Sequence, residues 1–208
     1  MSIKGKKILI TAGPTWVPID SVRVISNVAS GLTGMLLAKE VAAQGGRVTL
    51  ILGPCGEHNL NSSIRIIRFR FFNELKRLLK RELKNTKYDM VIHSAAVSDF
   101  RPEYKLRGKL SSAKAYSLRL VPLEKLVVLT RQLARKAKLV MFKLETAVTD
   151  KTLIQRAKNE AGKISADLVV ANRLNPYRAF IIDKKGYRTS VRSKKELAKK
   201  LTAILLKT

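Results

Sequence analysis

The sequence predicts an α/β fold: a Rossmann-like, doubly wound, mostly parallel sheet that ends in a C-terminal β-hairpin and a helix. Three observations predict it. Apolar runs of strand length alternate with segments of helical periodicity, the first run opens into a glycine-bearing loop, and the tail carries two strand-like runs joined by a glycine turn.

Residues 7–12, KILITA, form a continuous apolar run closed by Gly13, as a parallel strand buried on both faces requires. Leu32, Met35, Leu36, Lys39, Val41 and Ala42 then give a mainly apolar helical face that Gly45 and Gly46 stop. The run RVTLIL, residues 47–52, completes a strand, helix and strand that make a right-handed crossover. The pattern repeats with a strand over 64–69, a basic helix over 73–85 with Leu75, Leu78, Leu79 and Leu83 on one side, and a strand over 89–96. After an irregular stretch come a helix over about 122–137, the strand LVMFKL, a helix over about 153–162 and the strand DLVVAN. In the tail, strands over 180–183 and 187–191 flank a turn at 184–186. A last helix turns Leu197, Leu201, Ile204 and Leu205 inward.

With 208 residues, 46% hydrophobic and 6% aromatic, the chain suits one globular domain spanning residues 1–208, with no repeat or low-complexity linker. A fold of this length hides roughly 70% of its unfolded surface and needs no disulfide or metal to hold it. Cys55 is the single cysteine, and no segment has the character of a secretory signal or a membrane span, so a cytoplasmic location is expected. The formal net charge of +27, from 42 Lys+Arg against 15 Asp+Glu, raises nucleic acid as a partner. The basic residues are nevertheless spread over nearly every segment. The alternation Arg68, Phe69, Arg70, Phe71 is what a strand with one buried face requires. Such a surface attracts any anionic ligand, nucleotides included.

In an open parallel sheet, ligands bind beyond the carboxyl ends of the strands. The first strand ends at Gly13 and leads through Asp20, Arg23, Asn27 and Ser30 to Gly31 and Gly34, where a helix starts. Glycines and free N–H groups at a helix start favour a phosphate, but the loop is too long for the dinucleotide turn, and Ser30 as an ordinary cap explains it equally. The strand at Met90 ends in His93, Ser94 and Ala95, small enough after the histidine for a base or sugar to lie on the backbone. Asp99 beyond it suits an exocyclic amine, a metal, or a simple turn. His93 has no partner at zinc-ligand spacing. Lys109, taken alone, is one solvated charge among many. Nucleophile-elbow, Walker A, zinc-protease and C-x-x-C patterns are all missing. The residues themselves lead to an anion-binding, nucleotide-type α/β domain and no further.

Several blocks in order go further. TAGPTWVPIDSVRVISNVASG, HSAAVSDFRP, GKLSS, MFKLET and ADLVVAN together resemble the phosphopantothenate cysteine ligase (phosphopantothenoylcysteine synthetase) family across nearly the whole chain. Two departures stand out. Pro14 replaces the second glycine of the family's G-G-T, which bears on the loop, and the stretch from Arg101 to Lys109 is short, which bears on the dimer contact. No flavin decarboxylase domain precedes the blocks, as expected of a stand-alone, bacterial-type form.

The resemblance implies a ligase of coenzyme A biosynthesis that joins 4'-phosphopantothenate to cysteine through an acyl nucleotide. CTP is preferred over ATP, Mg²⁺ is carried by the triphosphate, and the protein is a homodimer. It further implies catalytic roles for Lys109 on the α-phosphate and Asn27 on the acyl oxygen, with Arg23 ordering their loop. Nucleotide contacts would come from Gly13, His93, Ser94, Ala95, Asp99, Lys109 and Phe142, and from Lys163 and Lys158 on the following helix. Asn27, Ser30 and Gly31 would hold the substrate. A basic nucleic-acid-binding module and an NAD(P)-dependent oxidoreductase are the alternatives; the first has only the net charge behind it, and the second lacks the glycine fingerprint.

Overall fold

The computed structural model describes residues 3–56, 60, 62–186 and 188–207. The buried runs form the expected elements: β1 (Lys7–Ala12), then α1 (Leu32–Ala43) and β4 (Arg47–Leu52) after a short antiparallel ribbon of β2 (Trp16–Pro18) and β3 (Val24–Ser26). Next come β5 (Arg65–Arg68), α2 (Phe72–Asn85) and β6 (Met90–His93), and a second ribbon of β7 (Phe100–Pro102) and β8 (Leu120–Pro122). The chain continues through α3 (Leu126–Leu133), β9 (Lys138–Leu144), α4 (Asp150–Ile164) and β10 (Leu168–Arg173). It ends with β11 (Arg178–Asp183), β12 (Arg188–Val191) and α5 (Lys194–Leu206).

Among the described residues one eight-stranded sheet runs β12-β11-β10-β9-β6-β1-β4-β5. It is parallel from β5 to β10, and the hairpin adds β11 and β12 antiparallel. Successive side chains of the parallel strands enter opposite cores. Leu9, Val91, Leu139 and Val169 pack with Leu75 of α2, Leu126 of α3 and Leu153 of α4. Ile8, Ile10, Ile92 and Val140 pack with Leu37 of α1 and Leu201 of α5. Ile8, Leu9 and Ile10 are all 0% exposed, the two-faced burial that an unbroken apolar run predicts, and each side chain contributes about 2 kcal/mol. From β1 the chain builds outward through β4 to β5, then returns to place β6 on the other side of β1. Connections therefore leave the carboxyl ends of β1 and β6 in opposite directions, which opens a crevice there.

The structure departs from the sequence-based expectations in four places. The strand expected over 89–96 leaves the sheet after His93. The helix expected over about 122–137 starts only at Leu126, because Pro122 biases the residue before it toward extended backbone and ends β8, which pairs with β7. Conversely, α4 starts three residues early, since Thr149 Oγ1 accepts from Thr152 N at 3.2 Å and caps it. After Arg68, Phe69 is buried between exposed Arg68 and Arg70, yet the chain turns into α2 at once, with Glu74 accepting from the N–H groups of Arg70 and Phe71. Tyr187, expected in the hairpin, lies outside the described residues.

Candidate active site

A cleft of about 850 Å³ opens at the β1/β6 crevice. Its floor is the continuation of the β1/β6 pairing beyond the strands, made possible by small residues. Ser94 Oγ donates to Thr11 O at 2.6 Å, Ala95 N donates to Thr11 Oγ1, and Ala96 N donates to Gly13 O at 3.0 Å. Buried Thr15 and Ser98 extend the zip: Ser98 N donates to Thr15 Oγ1 at 2.9 Å. Gly13 has φ +80 and lies so close to Gly53 that a Cβ would sit 3.1 Å from its backbone nitrogen. Above this floor stands the start of α1. A Cβ at Gly34 would fall 2.4 Å from the Ala12 Cβ and 2.8 Å from Ser94 Oγ, so glycine lets the helix end press onto the strand ends. Gly31 caps α1 with left-handed backbone and no side-chain hydrogen bond. The first helical N–H groups thus face a cleft lined by Ser30, Gly31 and Thr33, the arrangement that receives an anion.

Of the residues named from sequence, Gly13, Asn27, Ser30, Gly31, His93, Ser94, Ala95, Asp99 and Phe142 all line this cleft. Asn27 does so in an unexpected way. Its Nδ2 donates to Ala96 O at 3.2 Å and Val97 O at 3.1 Å, so both amide hydrogens are committed and Oδ1 is what remains for a ligand. Donation to an acyl oxygen, the role taken from the resemblance, conflicts with that geometry. Asp99 Oδ1 is held by Lys125 Nζ at 2.7 Å, both groups being more than half exposed.

Four of the named residues do not line it. Lys158 and Lys163 lie on the second half of α4, and the cleft lining includes neither of them. Lys158 borders a separate depression with Asp167 and Lys184. The face of α4 that reaches the cleft presents Glu160. Arg23 and Lys109 belong to a neighbouring assembly centred on the buried carboxylate of Asp20. That carboxylate accepts from Leu110 N at 3.0 Å, from Val22 N and Arg23 N at 2.7 Å, and from Arg23 Nη1 at 2.5 Å. The Arg23 guanidinium also donates to Leu110 O at 3.3 Å, and Ser21 N donates to Gly108 O at 3.1 Å. Exposed Lys109 therefore stands between two backbone anchors on the Asp20–Arg23 turn. The N–H groups of Leu110 and Val22 hold the Asp20 carboxyl well below the usual carboxylate range.

Sequence reasoning missed Lys125, Lys143 and Lys194, which also line the cleft. Lys143 was findable: it follows Leu139 and Met141 at period two and closes the carboxyl end of β9. Its Nζ lies 2.8 Å from Glu160 and 3.3 Å from Glu145, and Glu160 and Glu145 hold the ammonium in its charged form against a burial penalty. The carboxylates on the cleft are matched by lysines: Asp99 by Lys125, Glu160 by Lys143, and Glu124 by Lys76. Among the described residues no group of three or more His, Cys, Asp or Glu could hold a metal ion.

The profile of the DNA/pantothenate metabolism flavoprotein C-terminal domain family matches residues 3–208. The coenzyme A biosynthesis bifunctional protein CoaBC of Thermococcus kodakarensis is 36% identical over 176 residues, 85% of this chain and 43% of that protein. The chain spans about half the length of the curated relatives it matches. The crystal structure of the DNA/pantothenate metabolism flavoprotein from Streptococcus pneumoniae superposes with a TM-score of 0.86 at 25% identity, covering 97% of this chain and 98% of that one. A Cab2 H337A mutant in complex with phosphopantothenate-cysteine shares the fold, with a TM-score of 0.78 at 20% identity over 96% of this chain and 86% of that one.

Proposed function

The chain belongs to the family of DNA/pantothenate metabolism flavoprotein C-terminal domains, and from that premise we propose that it is a phosphopantothenate cysteine ligase of coenzyme A biosynthesis. The observation that carries the reading is the cleft at the β1/β6 switch point with the start of α1 in its wall, built from the same blocks that carry the sequence resemblance. In the first step the carboxylate of 4'-phosphopantothenate attacks the α-phosphorus of a nucleoside triphosphate. The bond from that phosphorus to the β-phosphate bridge oxygen breaks and pyrophosphate leaves. In the second, the amine of cysteine attacks the acyl carbon, loses a proton, and displaces the nucleoside monophosphate to leave an amide.

The residues divide this work by their chemistry. The start of α1, capped by Gly31 with no side-chain hydrogen bond from that residue, and Lys194 take phosphate charge. The N–H-rich helix end is fixed in place and needs no reorganisation. Lys109, exposed on its anchored segment, supplies positive charge to the α-phosphate as the bond breaks, a type of contribution worth about 3 kcal/mol. Oδ1 of Asn27 accepts from the attacking amine. Asp99 accepts from the exocyclic amine of the base, and CTP is the preferred triphosphate on the strength of the HSAAVSDF block. Mg²⁺ bound to the triphosphate would screen its charge against the carboxylate nucleophile.

The protein is proposed to work as a homodimer in the cytoplasm. In support, the two ribbons expose apolar side chains, with Val24 37%, Phe100 50% and Leu120 45% exposed, and among the described residues no helix is long and apolar enough to cross a membrane. The decisive assay is pyrophosphate release with 4'-phosphopantothenate and each of the four triphosphates, with and without cysteine. Release that depends on phosphopantothenate and favours CTP is expected; its absence with every triphosphate would overturn the proposal.

A further inference from the structure

The positive charge is spread along the sequence, but it is not balanced alike on every surface. On α2 the inward positions Phe72, Leu75, Leu79 and Leu83 are buried, and the outward positions Arg77, Lys80, Arg81 and Lys84 are all exposed. These four recur at three- and four-residue spacing, so they form one stripe along about 10 Å of helix. The two carboxylates of α2 are turned to other work. Glu74 accepts from the N–H groups of Arg70 and Phe71, and Glu82, 4% exposed, accepts from Arg65 Nη1 at 2.6 Å and from the Tyr88 hydroxyl at 2.9 Å. Arg81 reaches Glu82 at 3.6 Å, and Arg77, Lys80 and Lys84 form no ion pair among the described residues. Cations of α4 and α5 do have carboxylate partners, Arg156 with Glu145 and Lys200 with Glu196. Arg77 with Arg81, and Lys80 with Lys84, set like charges one turn apart, which destabilises a helix. A run kept against local stability is explained by an anionic partner that covers it.

We propose that this face of α2 docks on the phosphate backbone of double-stranded nucleic acid and reads charge, not sequence. The chemistry of the stripe selects that partner. No exposed position on α2 is apolar or aromatic, so the face has nothing to stack on unpaired bases or to insert into a lipid layer, and it lacks the apolar anchors of a protein interface. Arg and Lys suit phosphate oxygens, and a duplex carries a charge about every 3.4 Å along each strand, so the stripe matches about three phosphates. Arg65, its side chain 57% exposed, extends the face at β5, the edge strand of the sheet. No residue of α2 lines the cleft, so docking leaves the cleft open.

The test is fluorescence anisotropy with labelled RNA and DNA duplexes of about 20 base pairs, across a salt series. Three chains are compared: the parent; a stripe variant with Arg77→Gln, Lys80→Gln, Arg81→Gln and Lys84→Gln; and a control variant with Arg135→Gln, Lys136→Gln, Lys151→Gln and Lys199→Gln, which removes the same charge from exposed positions elsewhere. The parent should bind RNA and DNA duplexes of unrelated sequence alike. We expect the stripe variant to bind at least tenfold more weakly, with the slope of log affinity against log salt shallower by about 3 to 4, and the control to stay within threefold of the parent. The thermal midpoint of the stripe variant should equal or exceed the parental one, because repulsion has been removed, and pyrophosphate release should be the same in all three chains. Equal losses in the two variants would mean that the attraction belongs to the charge at large and would overturn the proposal. So would a parent that binds no duplex at about 50 mM salt, or one that binds single strands or phosphatidylserine vesicles more tightly than duplex. None of these outcomes touches the ligase reading, which stands or falls on pyrophosphate release.

Discussion

The Asp20 carboxylate accepts a hydrogen bond from the backbone N–H of Leu110 at 3.0 Å, joining points 90 residues apart in the chain. This single acceptor links the loop that leads to Asn27 with the segment that carries Lys109. Two stretches that the sequence presents as separate loops are thereby one structural unit beside the cleft.

Asp20→Asn should loosen that unit without unfolding the domain, because an amide keeps one acceptor oxygen where the carboxylate uses two. Hydrogen exchange at Leu110 is expected to rise at least tenfold and ligase turnover to fall, with the thermal midpoint nearly unchanged. The carboxyl is held low when folded, so its stabilising effect is present above the unfolded value of about 4 and is lost only as pH falls through the folded value. Exchange at Leu110 in the parent should therefore show no loosening between pH 8 and 5 beyond the intrinsic rate change. Unaltered protection in the variant would mean that the Arg23 contacts suffice.

Lys109→Gln tests the charge on the α-phosphate. Pyrophosphate release should fall by at least two orders of magnitude while nucleotide affinity changes little, since Lys109 is exposed and outside the cleft lining in the resting arrangement. Release at the parental rate would remove Lys109 from the mechanism.

Asn27→Asp places a carboxylate oxygen where Nδ2 donates to the carbonyls of Ala96 and Val97. Lone pairs would then face lone pairs, and the loop should lift from the cleft floor. Both half-reactions are expected to drop together, with no acyl nucleotide accumulating in quenched samples analysed by mass spectrometry. Accumulation of that intermediate would show that Asn27 acts on the second step alone.

Gly34→Ala is expected to destabilise by about 1–3 kcal/mol even though alanine is the better helix former, because the new methyl would meet the Ala12 Cβ and Ser94 Oγ. Chemical denaturation measures this directly. A gain in stability would show that α1 can shift without cost.

The sheet was legible because its strands are buried on both faces. Runs such as KILITA and RVTLIL have no amphipathic reading to compete with, and parallel pairing needs the helices that separate them. The ribbons β2–β3 and β7–β8 were not legible: each strand has three residues, too few for a period, and side-chain exposure along them is mixed. Gly13, Ser94 and Asp99 were legible as cleft-lining positions because strand ends select them. Lys158 and Lys163 stay outside the cleft lining while Glu160 of the same helix enters it, because alignment by motif does not fix the rotation of a helix. Lys143 was passed over because its block was credited to Phe142, although adjacent strand residues face opposite cores. The hydrogen bonds of Asn27 could not be foreseen, since its partners are backbone carbonyls about 70 residues away.

The buried imidazole of His93 predicts how stability depends on pH. Desolvation lowers its pKa from the ordinary 6.5 to about 4 in the folded state. Between those values the unfolded chain holds a proton at this position that the folded chain does not, so stability rises with pH across the window. Its contribution is complete above about pH 7 and declines as pH falls toward 4, by an amount on the order of 3 kcal/mol. Carboxylates begin to protonate over the lower part of the same range, so the comparison must be made against a chain lacking the imidazole. Urea midpoints measured at half-unit steps from pH 7.5 to 5 should fall for the parent and stay nearly flat for His93→Leu. Two curves that run parallel throughout would mean that the folded chain protonates His93 freely, and that the base of the cleft is wet.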